Sequence, residues 1–304
     1  MRPPLQRFEG CLVGLAVGSA LGGPVSYLSP EQIEQKHQGR VTDMIGGGSR
    51  DLRPGEYSDA ARLTFSLARS VILRGRFDPE DIGRRFVELF RGRSPNLDVT
   101  TSVALKALSG GGHWSEVGEQ ARLQSGDQSA GNGALVRAVP LALLDWNDAP
   151  AILADTIDSV RITHADQRVY WAAAALNLII AALLRGQLDG IIPRTTALVN
   201  NAEVRSALES FDRLSPSELP TSGYVLDTLQ TGLWCAFAAE SFEDALIQAV
   251  NLGHDAAMVG AVTGAVAGAI HGLYSIPDRW RRTIHDYEEI TGIAGDLYGL
   301  SSHF

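Results

Sequence analysis

Five short stretches put small or polar residues beside glycine at what read as helix ends: GSALGGPVSY (18–27), GEYSDAARL (55–63), SAGNGALVRAVP (129–140), ITHADQ (162–167) and NLGHDAAM (251–258). The first backbone N–H groups of a helix have no partner within it, so such stretches welcome an anion or a nucleotide phosphate. Two of them add a carboxylate, Asp59 and Asp255, and the second sets an imidazole, His254, directly before it. A carboxylate beside an imidazole raises its pKa, which suits general acid–base chemistry near neutral pH. Arg137, close to Asn132, offers either a grip on a phosphate or a partner for an acid such as Asp127. Thr163 and His164 read as a structural pair, and Asp166 as an acid favoured by the dipole of the helix it begins.

Residues so far apart need a scaffold, and the chain is helical almost throughout. DPEDIGRRFVELFRG (78–92) has Asp78 as cap, Pro79 at the first helical position and apolar residues at helical spacing. DQRVYWAAAALNLIIAALLRG (166–186) is rich in alanine and leucine and closes on Gly186, and SFEDALIQAVNLG (241–253) starts on Ser241. Along and just before CLVGLAVGSALGGPV (11–25), and again in 256–276, glycine recurs at every fourth position, from Gly10 to Gly22 and from Gly260 to Gly272. That stripe serves close helix crossing, so neither segment is read as a signal peptide or a membrane span. The breaks are loop-sized, and VTDMI (41–45) is too short to assign. The expectation is one all-α domain of about a dozen helices over residues 1–304.

Composition narrows the function classes. Of 304 residues, 35 are acidic and 26 basic, a formal charge of −9 that disfavours nucleic acid as a partner. The two cysteines, Cys11 and Cys235, lie in apolar surroundings without zinc spacing, which suits a reducing, cytoplasmic setting. Trp146, Trp171, Trp234 and Trp280 read as packing residues; His113, His271 and His303 attract no chemistry. Asp227 faces either solvent or the ligand side.

Taken in order and at their separations, the five stretches resemble the ADP-ribosylglycohydrolase family, proteins similar to the dinitrogenase-reductase-activating glycohydrolase. The resemblance covers nearly the whole chain, from GCLVGLAVGSALGGPVSYLSPEQI (10–33), through PGEYSDAARLTFSLARSVILRGRFDPEDIGRRF (54–86), AGNGALVRAVPLAL (130–143) and THADQ (163–167), to GYVLDTLQTGLWCAF (223–237) and NLGHDAAMVGAVTGAVAGAIHGLYSIP (251–277). It implies a cleft for an ADP-ribosyl group and, in the family, two magnesium ions held by a Thr-Asp-Asp-Thr run and an Asp-Thr-Asp-Thr run. Close dications need several hard carboxylate oxygens. Here the runs stand as Ser58-Asp59-Ala60-Ala61 and Asp255-Ala256-Ala257-Met258, and Ser19 and Ser26 occupy two further positions where the family places acids. Acids are thus lost at 19, 26, 60 and 257 and kept at 59 and 255. The resemblance implies that the magnesium chemistry has been given up and that no cofactor remains.

Three functions stay open. The first is a metal-independent enzyme acting on a ribosyl, nucleotide or other small molecule, with Asp59, Asp255 and His254 as acid and base; two carboxylates facing a cleft are the minimum for cleaving a glycoside. The second is a non-catalytic protein that binds an ADP-ribosyl group, with His254 filling the vacated metal space. The third is a magnesium-dependent hydrolase with fewer ligands. In each, Ser19, Ser26, Ser58 and Met258 surround the reacting ribose, while Gly131, Asn132, Gly133, Arg137, His164 and Tyr224 serve the phosphate and adenosine side. Oligomeric state is left open.

Overall fold

The computed structural model of the protein describes residues 2–92 and 97–301, apart from the side chains at 127 and 128. His303 and the Asp127 side chain lie outside the described residues. Among those residues sixteen α-helices follow one another with no strand, and only two isolated bridges, Gly47 with Leu52 and Gly131 with Tyr224, pair extended backbone. The helices beyond the expected dozen are short ones such as Val139–Leu144 and Asp278–Thr283, six residues each, too brief to show a period.

The first half of the chain forms α1 (Leu5–Gly22), α2 (Pro30–His37), α3 (Asp59–Arg74), α4 (Pro79–Gly92), α5 (Val99–Ser109), α6 (Val117–Ser125), α7 (Val139–Leu144) and α8 (Ala149–Arg161). The second half forms α9 (Gln167–Leu184), α10 (Ile191–Leu198), α11 (Ala202–Ser210), α12 (Val225–Ala238), α13 (Phe242–Asn251), α14 (Ala256–His271), α15 (Asp278–Thr283) and α16 (Tyr287–Leu300). The expected starts hold. Asp78 accepts from the Asp81 N–H, Ser241 from the Asp244 N–H, and Asp166 from the Arg168 N–H. Gly186, at φ 74°, takes the left-handed conformation that ends α9.

At the centre, α1 and α14 run antiparallel with their backbones in contact. A Cβ placed on Gly10, Gly14, Gly18 or Gly22 falls well inside 3.0 Å of the backbone of Gly268, Gly264, Gly260 or Ala256 in turn, and Gly260, Gly264 and Gly268 meet the same obstacle from the other side. The two glycine stripes thus fit each other, leaving no room for side chains between them. By length and composition α1 and α9 are each apolar enough to cross a bilayer, a property of α9 that its alanine-rich sequence had not flagged, but 94% and 83% of their apolar windows are buried in the fold. Cys11 and Cys235 are free and buried, as expected.

Asp145, just after α7, has one carboxylate oxygen buried without a partner, and burial with Asp155 and Asp148 nearby pushes it up to about 7. Its folded value lies above its unfolded one. The stability it contributes is therefore full below about pH 4 and lost as pH rises toward 7. Asp145→Asn is expected to melt higher than the native protein at pH 8, by roughly 1 kcal/mol after allowance for solvent screening, and to match it at pH 4. Melting curves at the two pH values check this, and an equal change at both would sink it.

Candidate active site

Because α1 and α14 cross antiparallel, the end of α1 lies beside the start of α14. Ser26 closes that junction: its hydroxyl donates to the Gly22 carbonyl and accepts the Ala257 N–H, at 3.0 and 3.2 Å. A first-turn N–H of α14 is therefore satisfied from outside, and Asp255, at the N-cap, makes no side-chain cap. Its carboxylate is free for other partners. Tyr27 and His254, both with positive φ, pair their backbones: the Tyr27 N–H donates to the His254 carbonyl and the His254 N–H to the Leu28 carbonyl.

The start of α3 is drawn in by serines. Ser19 donates to the Ser58 hydroxyl at 2.8 Å and accepts the Ser58 N–H at 3.1 Å, while Ser58 caps α3 through the Ala61 N–H. From the third side comes the SAGNGA loop. The Asn132 N–H donates to the Gly223 carbonyl, and its side-chain amide donates to Thr228 at 2.7 Å and to Asp255 Oδ2 at 2.8 Å. Asp255 Oδ1 accepts no hydrogen bond from a described side chain. Burial, the largest influence, raises the Asp255 carboxyl above its ordinary value despite the Asn132 amide and the charge of Arg50.

These elements enclose a cavity of about 80 Å³. Its walls include Ser58, Ala60, Asn132, Gly133, Asp255, Ala257 and Met258, and also Tyr27, Arg50, Leu97 and Asp98. A groove of about 410 Å³ passes over Gly131, Gly223 and Tyr224 and shares Asp98 with the cavity. Tyr224 reaches Glu203 through its hydroxyl, and Arg168 lies over its ring.

Other expected residues are placed elsewhere. Asp59 is not on the cavity wall; its carboxylate lies 3.6 Å from the Arg62 guanidinium. His254 is exposed and outside the cavity, so its side chain neither faces Asp255's ligand space nor plugs it; the left-handed backbone that pairs with Tyr27 turns it outward. Ser19 and Ser26 are buried fasteners between helices. Arg137 is fully buried over the Phe86 ring and donates to Thr163 Oγ1, so it holds no phosphate on the cavity surface. His164, also fully buried, shares that hydroxyl through Nδ1 at 2.9 Å.

Asp98 carried no signal in the sequence, where it looked like an acid in a loop. It caps α5, accepting the Thr101 N–H at 2.8 Å on Oδ1 and the Thr101 hydroxyl at 2.6 Å on Oδ2. Its carboxylate presses so close to Gly133 that a Cβ there would overlap it. Behind it His164 Nε2 stands 3.8 Å away, and burial lowers that imidazole to about 4, so the neutral ring is a neighbour and not a counter-charge. Arg137, lowered by burial to about 10, stays charged and acts on Asp98 through space. Arg50, in the glycine-rich segment 46–57, likewise belongs to none of the five stretches.

Among the described residues, no three His, Cys, Asp or Glu side chains stand together as a metal site. The wall positions where the resemblance puts further metal oxygens present the methyl groups of Ala60 and Ala257 and the thioether of Met258.

An all-helical body that brings four of the five polar stretches to the wall of one small cavity has the form of a glycohydrolase of ADP-ribosyl groups. The chain belongs to the ADP-ribosylglycohydrolase family, whose sequence pattern matches residues 1–303. It is 30% identical over 307 residues to the ADP-ribosylarginine hydrolase Tri1 of Serratia proteamaculans, covering 98% of this chain and 80% of that protein. It is 30% identical over 283 residues to the ADP-ribosyl-[dinitrogen reductase] glycohydrolase of Rhodospirillum rubrum, covering 90% and 88%. A solved structure described as an ADP-ribosylglycohydrolase-related protein complex superposes with a TM-score of 0.82 at 34% identity, covering 98% of both chains.

Proposed function

We propose that the protein hydrolyses an ADP-ribosyl or related ribosyl linkage without the metal pair of its family, with Asp255 as the proton donor. The observation that carries this reading is the wall of the cavity: Ala60, Ala257 and Met258 stand beside a single motif carboxylate, Asp255, held by the Asn132 amide. Asp255, an Asp98 whose two oxygens already accept from Thr101, and a serine whose hydroxyl is engaged by Ser19 are a poor shell for a dication that demands six oxygens.

The chain's own residues supply a route. Burial keeps a proton on Asp255 to higher pH than on an ordinary carboxyl, and Asp255 lines the cavity. As the bond from ribose C1 to the leaving atom breaks, its electron pair goes to that atom, which takes the Asp255 proton. A water oxygen bonds to C1 and releases a proton to the Asp98 carboxylate, the other acid on the wall. Asp59 and His254, off the wall, take no part.

Calorimetry of the purified protein with ADP-ribose, once in EDTA and once in magnesium, tests this. Equal binding in both is expected. Binding that appears only with magnesium would overturn the metal-free reading, and binding without turnover of an ADP-ribosylated arginine would make the protein a receptor and not an enzyme. In the same experiment Ala60→Asp with Ala257→Asp is expected to acquire magnesium affinity in the range of roughly 0.1–1 mM, because it returns two hard oxygens to a wall that already carries Asp255.

A further inference from the structure

We propose that Arg50, paired with Asp255, grips the vicinal diol of the ligand's terminal ribose, doing with a guanidinium what a divalent cation would otherwise do. This deepens the ADP-ribosyl reading and rests on it. Arg50 stands on the cavity wall with its Nη2 donating to the Tyr27 hydroxyl at 3.0 Å, which pins the head group. Its Nε is buried and meets no acceptor among the described residues. A guanidinium on a cavity wall that still has an unpartnered N–H keeps donor capacity for an acceptor on the ligand.

The loop is built to hold that arginine. Gly46, Gly47 and Gly48 all take positive φ, from 67° to 84°, and Gly47 exchanges backbone hydrogen bonds with Leu52. A Cβ on Gly48 would run into the Pro24 backbone, so the turn lies flat on the end of α1. Arg50 is thereby held on the same cavity wall as Asp255, whose carboxyl feels its charge.

Charge and size choose a diol over a phosphate. With the Asp255 carboxyl protonated, the wall sets one carboxylate, Asp98, against one guanidinium, a balance that offers a phosphate no net attraction. The cavity of about 80 Å³ can take only the edge of a ligand, while the adjoining groove of about 410 Å³ over Gly131 and Tyr224, which shares Asp98 with it, has room for the rest. A diol is complementary to both ends: one hydroxyl donates to Asp255, and the oxygen of its neighbour accepts from Arg50, whose planar fork presents adjacent donors.

Binding of ADP-ribose and of ADP, measured by calorimetry in EDTA for the native protein, Arg50→Gln and Arg50→Lys, tests the proposal, since ADP lacks the terminal ribose. The native protein is expected to prefer ADP-ribose by about tenfold or more, and Arg50→Gln to bring the two ligands within about twofold by weakening ADP-ribose alone. Arg50→Lys is expected to recover only part of the preference, with melting temperatures unchanged across the set. If Arg50→Gln weakens both ligands equally, the arginine reads a phosphate and the proposal is wrong; it is equally wrong if neither ligand is affected. A native protein that binds neither ligand would overturn the ADP-ribosyl reading itself, and the diol grip with it.

Discussion

Adding one methyl group at Gly264 is expected to destabilise the protein by about 3 kcal/mol or more, lowering its melting temperature by at least ~5 °C. The methyl would sit well inside 3.0 Å of the Gly14 carbonyl, and the obstacle is backbone, which cannot rotate aside as a side chain can. α1 and α14 must move apart along their length, opening the packing of the most buried part of the core. Gly295→Ala, in α16, is the matched control. No atom lies within 4 Å of its would-be Cβ, so the gain in helix propensity is expected to leave stability unchanged or raise it by up to ~1 kcal/mol. Thermal melts of the two variants side by side decide the matter. Similar behaviour in both would mean that α1 and α14 do not meet through their glycines.

Asp255→Asn is expected to lower kcat by about 100-fold or more while ADP-ribose binding weakens by no more than roughly tenfold. The amide has the shape of the carboxyl and still accepts from Asn132, but it cannot deliver a proton. Asp59→Asn is the informative companion. Its carboxylate lies beside Arg62 and off the cavity wall, so kcat is expected to stay within about threefold of native. Steady-state rates on an ADP-ribosylated arginine substrate measure both. A large loss at Asp59 with little at Asp255 would reverse their roles.

Much of the helical framework was legible because its signals are local and periodic. Asp78, Ser241 and Gly186 end or begin helices where their chemistry demands it, and the fourfold glycine spacing announced two tightly crossed helices, though not that they cross each other. The position of Asp255 on the cavity also followed from its stretch. What the sequence concealed was the direction of side chains set by contacts far along the chain. His254 sits next to Asp255 in sequence, but a left-handed backbone turns it to solvent, and Asp59 inclines toward Arg62, one helical turn on. Arg50 and Asp98 reach the cavity only through tertiary packing: one on a glycine turn folded against Pro24, the other pressed on Gly133. Neither belongs to a recognisable stretch, so spacing alone had nothing to report.

The crossing of α1 with α14 also bears on how the chain is made. Gly14 leaves the ribosome about 250 residues before Gly264, the residue its backbone must meet. At roughly 5–20 residues per second, an apolar helix with a bare glycine face waits on the order of ten seconds to a minute for its mate. Until then neither Ser26 nor Asp255 has its neighbour, so the cavity is among the last features to appear. A nascent chain stalled in its final fifth would display a sticky, siteless N-terminal half, a natural client for chaperones that shield apolar helices.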